Sequence, residues 1–429
     1  MELAVTGVVV SHVPDIRMKE RLETWRNALV PRWRRFLFVA LRYHHRFVRR
    51  STVIAVTGSC GKTTAKELLY HVLSSKWRGT KAKGTRNGFY ANALVLLRTI
   101  PLWHRFSVIE AGTDQPGKLD VLCRAYRPDV GVVLMVGLDH YRSFRNREAV
   151  AEEKKAVVAH LPESGLAVLN ADDDLVLSMA QQTKAHVVTY GTSPGADIRA
   201  ENISANWPER LAFDVIINGE RSRVQTRLCG DMWLPSVLPV FAVARHMGVA
   251  VAEVIAAIET HEAHELRMDP REMPDGSTFL LDDWKSPFWS IDRAVDFISK
   301  AQAPQKILVL GTISDSPGGL SKRYAQVVRK ALDHVDYVII TGSVADMFKT
   351  LHDKFDPARV RIVPDIRNVT ACLDEIMMPG ALVMLKGTNK QDHLSRLMHN
   401  RIRPVKCWSR DCRLQISCAN CRHLFRGEP

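Results

Sequence analysis

The sequence predicts an α/β protein with mainly parallel sheets in two successive domains, and three observations predict it. The 429 residues exceed what one hydrophobic core usually supports. From Arg50 onward, short apolar runs alternate with helical segments, the mark of a parallel sheet covered by helices. The charged, proline-bearing stretch 261–275 then interrupts that rhythm, and a second run of the same kind begins beyond it.

Residues 1–50 form a basic amphipathic extension. Between Arg17 and Arg50 eleven Lys or Arg face two Glu, so this stretch holds +9 of the net +14. Leu22, Trp25, Leu29, Trp33, Phe36 and Ala40 recur at steps of three and four, interrupted at Pro31. Such a helix either docks on the following domain with a solvated arginine face, the commoner arrangement and the preferred reading, or lies on an anionic membrane surface. Residues 51–265 make the first α/β domain. Its strands are expected at 52–57, 106–110, 130–136 and 166–170, and its helices at 62–73, 94–98 and 147–161. A β-like stretch over 187–230 and a helical one over 237–260 complete it. Residues 266–403 make the second domain, with strands at 279–282, 306–310, 337–340 and 381–385, and 261–275 reads as the hinge between the two. Residues 404–429 are a cysteine-rich tail.

Composition excludes several classes. No apolar run reaches the roughly 18–20 residues of a spanning helix, and the amino terminus lacks a basic segment and cleavage site of the secretory kind. Cys60, Cys123, Cys229 and Cys372 are scattered through helix and strand patterns and read as free thiols, which points to a reducing, cytoplasmic compartment. Beyond the basic arm nothing resembles a base-reading module, so nucleic acid is not an expected partner.

The run VIAVTGSCGKTTAKELLYHVL reads as strand, glycine turn and helix. Gly58 and Gly61 let the backbone approach a polyphosphate, with Ser59, Cys60 and Thr64 completing the loop. Lys62 can reach the outer phosphates and the Thr63 hydroxyl can bind magnesium.

This short loop resembles that of the Mur ligase superfamily, and further stretches in matching order extend the resemblance from about Val53 to Leu397, closest to the branch that adds D-alanyl-D-alanine. The resemblance implies a P-loop central ATPase domain followed by a Rossmann-like ligase domain. It implies an ATP- and magnesium-dependent ligase that activates a carboxylate as an acyl phosphate and joins it to an amine, both small molecules. In VIEAGTDQPGKLD, Glu110 falls on a magnesium ligand. In VGLDHYRSFRNREAVAEEKKAVV, His140 falls on the family histidine, and counting from it puts Lys154, rather than Lys155, on a carbamylated lysine that helps hold a second magnesium. GLAVLNADDD matches the nucleotide edge with Asn170, Asp172 and Asp173, although a helix cap from Asp172 is an equal reading. GTRNGFYANALVLLR offers Asn87 near the phosphates. ELRMD places Arg267 by the γ-phosphate, LLDDWKSPFWS places Asp283, with Lys285, by the amine, and VMLKGT points Lys386 at the site.

Departures from the family pattern bear on the substrates. The usual sugar-nucleotide-binding amino-terminal domain is replaced by the basic arm, and Gly230, Met232, Trp233 and Ser236 stand where the family has its adenine-side asparagine motif. An ATP-binding scaffold descended from such a ligase is therefore the alternative reading. In the tail, Cys407, Cys412, Cys418 and Cys421 offer one C-x-x-C half with good zinc spacing and a wider second pair; a zinc or iron–sulfur site and a tail of free thiols are both open.

Overall fold

The computed structural model describes residues 36, 37, 39–41, 44, 51–100, 102–138, 143–315, 319–342, 355–410, 412, 414 and 416–427. A nine-stranded sheet carries the first domain, in the spatial order Gly79–Lys81, Phe106–Glu110, Thr52–Thr57, Val130–Val133, Leu166–Asn170, His186–Gly191, Ile198–Ser204, Ala212–Ile217 and Glu220–Gln225. The pairings are parallel through Ile198–Ser204, and the last two are antiparallel. The parallel strands that pack helices on both faces are buried along their length, as the unbroken apolar runs require. The antiparallel ones alternate buried and half-exposed positions, the period-two pattern of a one-sided sheet.

The second sheet has six strands, ordered Asp269–Glu272, Thr278–Asp282, Leu382–Lys386, Lys306–Leu310, Tyr337–Thr341 and Val360–Val363. Only the first pairing is antiparallel. The expected hinge thus contains an edge strand: Asp269–Glu272 folds back on Thr278–Asp282 through the Asp275–Gly276 turn. Its charges and Pro270 hid it, and both are what an edge strand uses to remain unpaired on its outer side.

Four other expectations shift, and one is the 130–136 strand, which ends at Val133. The 94–98 helix begins at Phe89. The 147–161 helix breaks at Lys155 into Arg147–Lys154 and Ala156–Ala159. The 237–260 stretch is two helices, Leu234–His246 and Val251–Thr260, parted by Gly248 at φ 83°. One apolar cluster runs through both domains, joining Val56, Trp207 and Phe241 of the first to Phe297, Leu308 and Met384 of the second. Of the arm, residues 1–35 lie outside the described residues. Leu41, at its far end, is fully buried in a cluster with Phe89, Ala93 and Leu96, so this end of the arm docks.

Candidate active site

The buried strand Thr52–Thr57 delivers the chain to Gly58, and the helix Lys62–Ser74 leaves from Gly61. Gly61 sits at φ 79°, and a Cβ there would stand 2.3 Å from the Ser236 hydroxyl, so only glycine fits. The Ser59 hydroxyl donates to the Gly137 carbonyl at 3.1 Å and the Ser59 amide to the Met135 carbonyl at 2.9 Å, which ties the loop to the neighbouring strand's exit. The Lys62 ammonium folds back onto the Gly58 carbonyl at 2.5 Å.

Thr63, in the first turn of the helix, and Glu110, at the end of the strand that pairs in parallel with Thr52–Thr57, meet at 3.0 Å, both buried. Asn92 donates to the Glu110 carbonyl at 2.9 Å and fixes the strand end. Lys66 joins this group without having stood out in the sequence. It is fully buried, donates to the Ala82 and Gly84 carbonyls, and lies 3.3 Å from Glu67 and 3.9 Å from Glu110. Its place four residues after Lys62, on the same helix face, was the available signal.

The second wall comes from the carboxyl ends of the other sheet. Asp282 and Lys386, register partners on adjacent parallel strands, pair at 2.5 Å with 10% and 4% of their side chains exposed. Lys285 pairs with Asp315 at 3.1 Å. The loop after Lys386 is pinned by Asp392, which accepts from the Thr312 and Thr388 amides at 2.7 and 2.8 Å.

Between the walls lies a cleft of about 710 Å³. It brings together Ser59, Cys60, Gly61, Lys62, Thr63, Thr64, Asn87, Glu110, Arg267, Lys285 and Lys386 of the expected residues. It adds Arg86, Asp282, Trp284, Trp289, Arg293, Asn389 and Lys390, which no motif singled out. Among the described residues that line it, seven Lys or Arg against two carboxylates make it cationic, which suits phosphate and carboxylate ligands.

Other expected residues stand elsewhere. Asp283 is fully buried beneath the cleft wall, where it accepts from the Ser395 amide at 3.1 Å while its other oxygen has no hydrogen-bond partner among the described residues; burial, more than its carboxylate neighbours, pushes its carboxyl up to about 7. Its neighbour Asp282 faces the cleft instead, because successive residues of a strand point to opposite sides. Asn170 braces two strands through the Leu134 carbonyl, Asp172 accepts from the amides of Thr192 and Ser193, and the helix cap expected at Asp172 is instead Asp173, which accepts from the Leu175 amide. Lys154 is 2% exposed, whereas Lys155 turns outward to Glu152 at 2.6 Å. Glu153 holds the Gly117 and Leu119 amides. His140 lies outside the described residues. Cys407, Cys412, Cys418 and Cys421 line one small cavity with His393 and His423, and His393 Nδ1 is 3.3 Å from the Cys418 thiol. Among the described residues, however, no three donors stand close enough to hold a metal ion, so the zinc expectation gains no support.

Residues 56–244 match the model of the Mur ligase middle domain. The first domain thus resembles the Mur ligase middle domain over most of its length. The chain's relatives include the UDP-N-acetylmuramoyl-tripeptide–D-alanyl-D-alanine ligase of Mycobacterium tuberculosis, 30% identical over 236 residues that cover 55% of this chain and 46% of that one. The ligase of the same name from Bacillus subtilis is 24% identical over 341 residues, 78% of this chain and 73% of its own. The chain therefore spans about half the length of the first of these and more of the second. Among solved structures, MurF from Acinetobacter baumannii superposes with TM-score 0.76 at 20% identity, covering 86% of this chain and 80% of that one. MurF from Thermotoga maritima in complex with ADP gives 0.71 at 21%, covering 86% and 82%. These likenesses establish a Mur ligase fold for both α/β domains.

Proposed function

We propose that this Mur ligase homologue is an ATP-dependent ligase that forms an amide bond through an acyl phosphate. The observation that carries the reading is the shared cleft, with a phosphate loop on one wall and the cationic strand ends Arg267 and Lys386 on the other. A kinase-type P-loop enzyme would not need the second wall.

The β- and γ-phosphates of ATP would lie on the Gly58–Thr64 loop, their charge met by backbone amides and by Lys62 swung off the Gly58 carbonyl. Thr63 and Glu110, a buried hydroxyl and carboxylate 3.0 Å apart, fit a magnesium ion, which needs few protein ligands beside waters and phosphate and would neutralise charge on the triphosphate. A substrate carboxylate attacks the γ-phosphorus in line, and ADP leaves as the new C–O–P linkage forms. An amine then attacks the carbonyl carbon, the C–O bond to phosphate breaks, and the ammonium loses a proton. Arg267 and Lys386 hold the transferring charge, and Asp282 is the carboxylate that meets the amine. Facing walls exclude the water that would hydrolyse the acyl phosphate.

Buried Lys154, rather than the outward-turned Lys155, is the side chain in this stretch that we place at the carbamylated position. The substrates we propose are an acyl donor bearing a carboxylate, of the cell-wall-precursor or peptide class, and an amino acid or short peptide, used in a cytoplasm that supplies ATP. Phosphate release tests the reading: purified protein, ATP and magnesium are screened against pairs of carboxylates and amines. Release that depends on both partners supports the ligase. ATP binding with no substrate-dependent release supports the scaffold alternative.

A further inference from the structure

Seven of the fourteen large exposed hydrophobic side chains among the described residues sit on one region of the first domain, which is a concentration that a random solvated surface does not produce. Leu102 is 81% exposed, Trp103 63% and Ile100 53%, and the helix Phe89–Arg98 adds Tyr90 and Leu94 one turn apart. The loop is not slack. The Trp103 and His104 amides donate to the Ile100 carbonyl at 3.0 and 2.8 Å, and the Ile100 amide donates to His104 Nδ1 at 3.0 Å. Thr99 is fully buried and joined to Thr80 at 2.7 Å. A braced turn thus holds its apolar side chains outward.

The basic arm ends on the same face. Leu41 is buried beside Phe89, Ala93 and Leu96, which form the inner side of the helix that shows Tyr90 and Leu94 outward. His44 hydrogen-bonds the Thr99 backbone, next to the loop. Phe36 and Val39 are exposed there, 62% and 50%. Charge surrounds the patch: Arg78 stacks over the Trp103 ring at 5.7 Å, and Arg98 and Arg105 are exposed.

We propose that this face docks on an anionic lipid bilayer, with Ile100, Leu102 and Trp103 entering the interface and Arg78, Arg98 and Arg105 meeting the headgroups. An aromatic–aliphatic tip with a cationic rim is the chemistry of interfacial anchors, and the two attractions together suffice where either alone is marginal. A second copy of this chain fits less well, since two such faces would bring like charges together. The catalytic cleft lies on other strand ends, so the inference stands whether or not the ligase reading does.

The test is flotation of the full chain with vesicles of phosphatidylcholine alone or with about 30 mol% phosphatidylglycerol. The expected result is capture by the anionic vesicles only, lost toward about 0.5 M salt. The double variant L102S/W103S should lower the captured fraction at least about tenfold and leave ATP binding unchanged, while I402S, on an exposed residue of the second domain, should have no effect. The proposal is overturned if the full chain stays out of anionic vesicles or if L102S/W103S binds as well as the parent. It is equally overturned if the chain forms a dimer that L102S/W103S dissolves, with no vesicle capture.

Discussion

Replacing Asp283 by asparagine separates a structural carboxylate from a catalytic one. In the folded protein burial raises the Asp283 carboxyl from 3.8 to about 7, and it has no cationic partner among the described residues. A raised pKa on an acid means that the folded state holds its proton to higher pH than the unfolded chain does. Stability is therefore lost as pH climbs from about 4 toward 7, and the whole penalty is present above that. About three pH units at 1.36 kcal/mol each set it near 4 kcal/mol at pH 8, of which less than half is already present at pH 5. Asparagine keeps the shape and the acceptor for the Ser395 amide but cannot ionise. Urea unfolding of both proteins should therefore show asparagine gaining about 2–3 kcal/mol more, relative to the parent, at pH 8 than at pH 5. Substrate-dependent phosphate release by D283N should stay within a few-fold of the parent, whereas D282N should lose most of it. An equal stability difference at both pH values would mean that Asp283 is ionised in the folded state. Loss of activity on D283N with D282N unaffected would return the amine-side role to Asp283.

Three more outcomes rest on the same geometry. Lys62→Ala should abolish ATP turnover with thermal unfolding unchanged, because the side chain bonds only a loop carbonyl in the fold; turnover near the parent's would remove the phosphate loop from the mechanism. Lys154→Ala should bind ATP but lose ligase activity, partly restored by acetate or formate, while Lys155→Ala, whose partner is the exposed Glu152, should be near neutral; the opposite ranking would show the registration from His140 to be one residue off. Leu41→Ala should cost about 2–4 kcal/mol in denaturant unfolding although it lies in the arm, whereas Phe36→Ala should cost under about 0.5; equal effects would refute the docking of that segment.

The parallel strands of both sheets were legible because they are buried on both faces and read as unbroken apolar runs; Thr52–Thr57, Phe106–Glu110, Leu166–Asn170 and Lys306–Leu310 have the expected bounds. Short edge strands were not: Gly79–Lys81, Asp269–Glu272 and Val360–Val363 bury too little of their length to print a pattern. At the site, the phosphate loop was legible since its spacing is local. Which member of the Asp282–Asp283 pair faces the cleft depends on strand parity against a partner about a hundred residues away, Lys386, and no local pattern records that. The cationic additions Arg86, Arg293 and Lys390 come from loops and a helix face, where a lone basic residue looks like ordinary solvated surface.

The tail gives the cleft a support that its cysteine spacing did not announce. Ser417 and Asn420 both donate to Glu265, two residues before Arg267, and Asn389 on the cleft wall donates to the Ile416 carbonyl at 3.1 Å. Arg396, buried in the second domain's last helix, donates to the Ser409 carbonyl at 2.8 Å. The tail therefore bridges the segment that connects the domains and the loop after Lys386. In the ligase reading we propose, charges that meet a short-lived acyl phosphate must be held in place before substrate arrives, since a loose wall would admit water and spend binding on ordering side chains. On the first domain's side that rigidity comes from the buried Lys66–Glu110 contact. On the second domain's side it comes from Asp392 beneath the Thr312 and Thr388 amides and from the tail behind Asn389. The tail accordingly belongs to the scaffold of the cleft, and a change that loosens it should reach the site through Asn389 and Arg267, although none of its four cysteines is among the described residues that line the cleft.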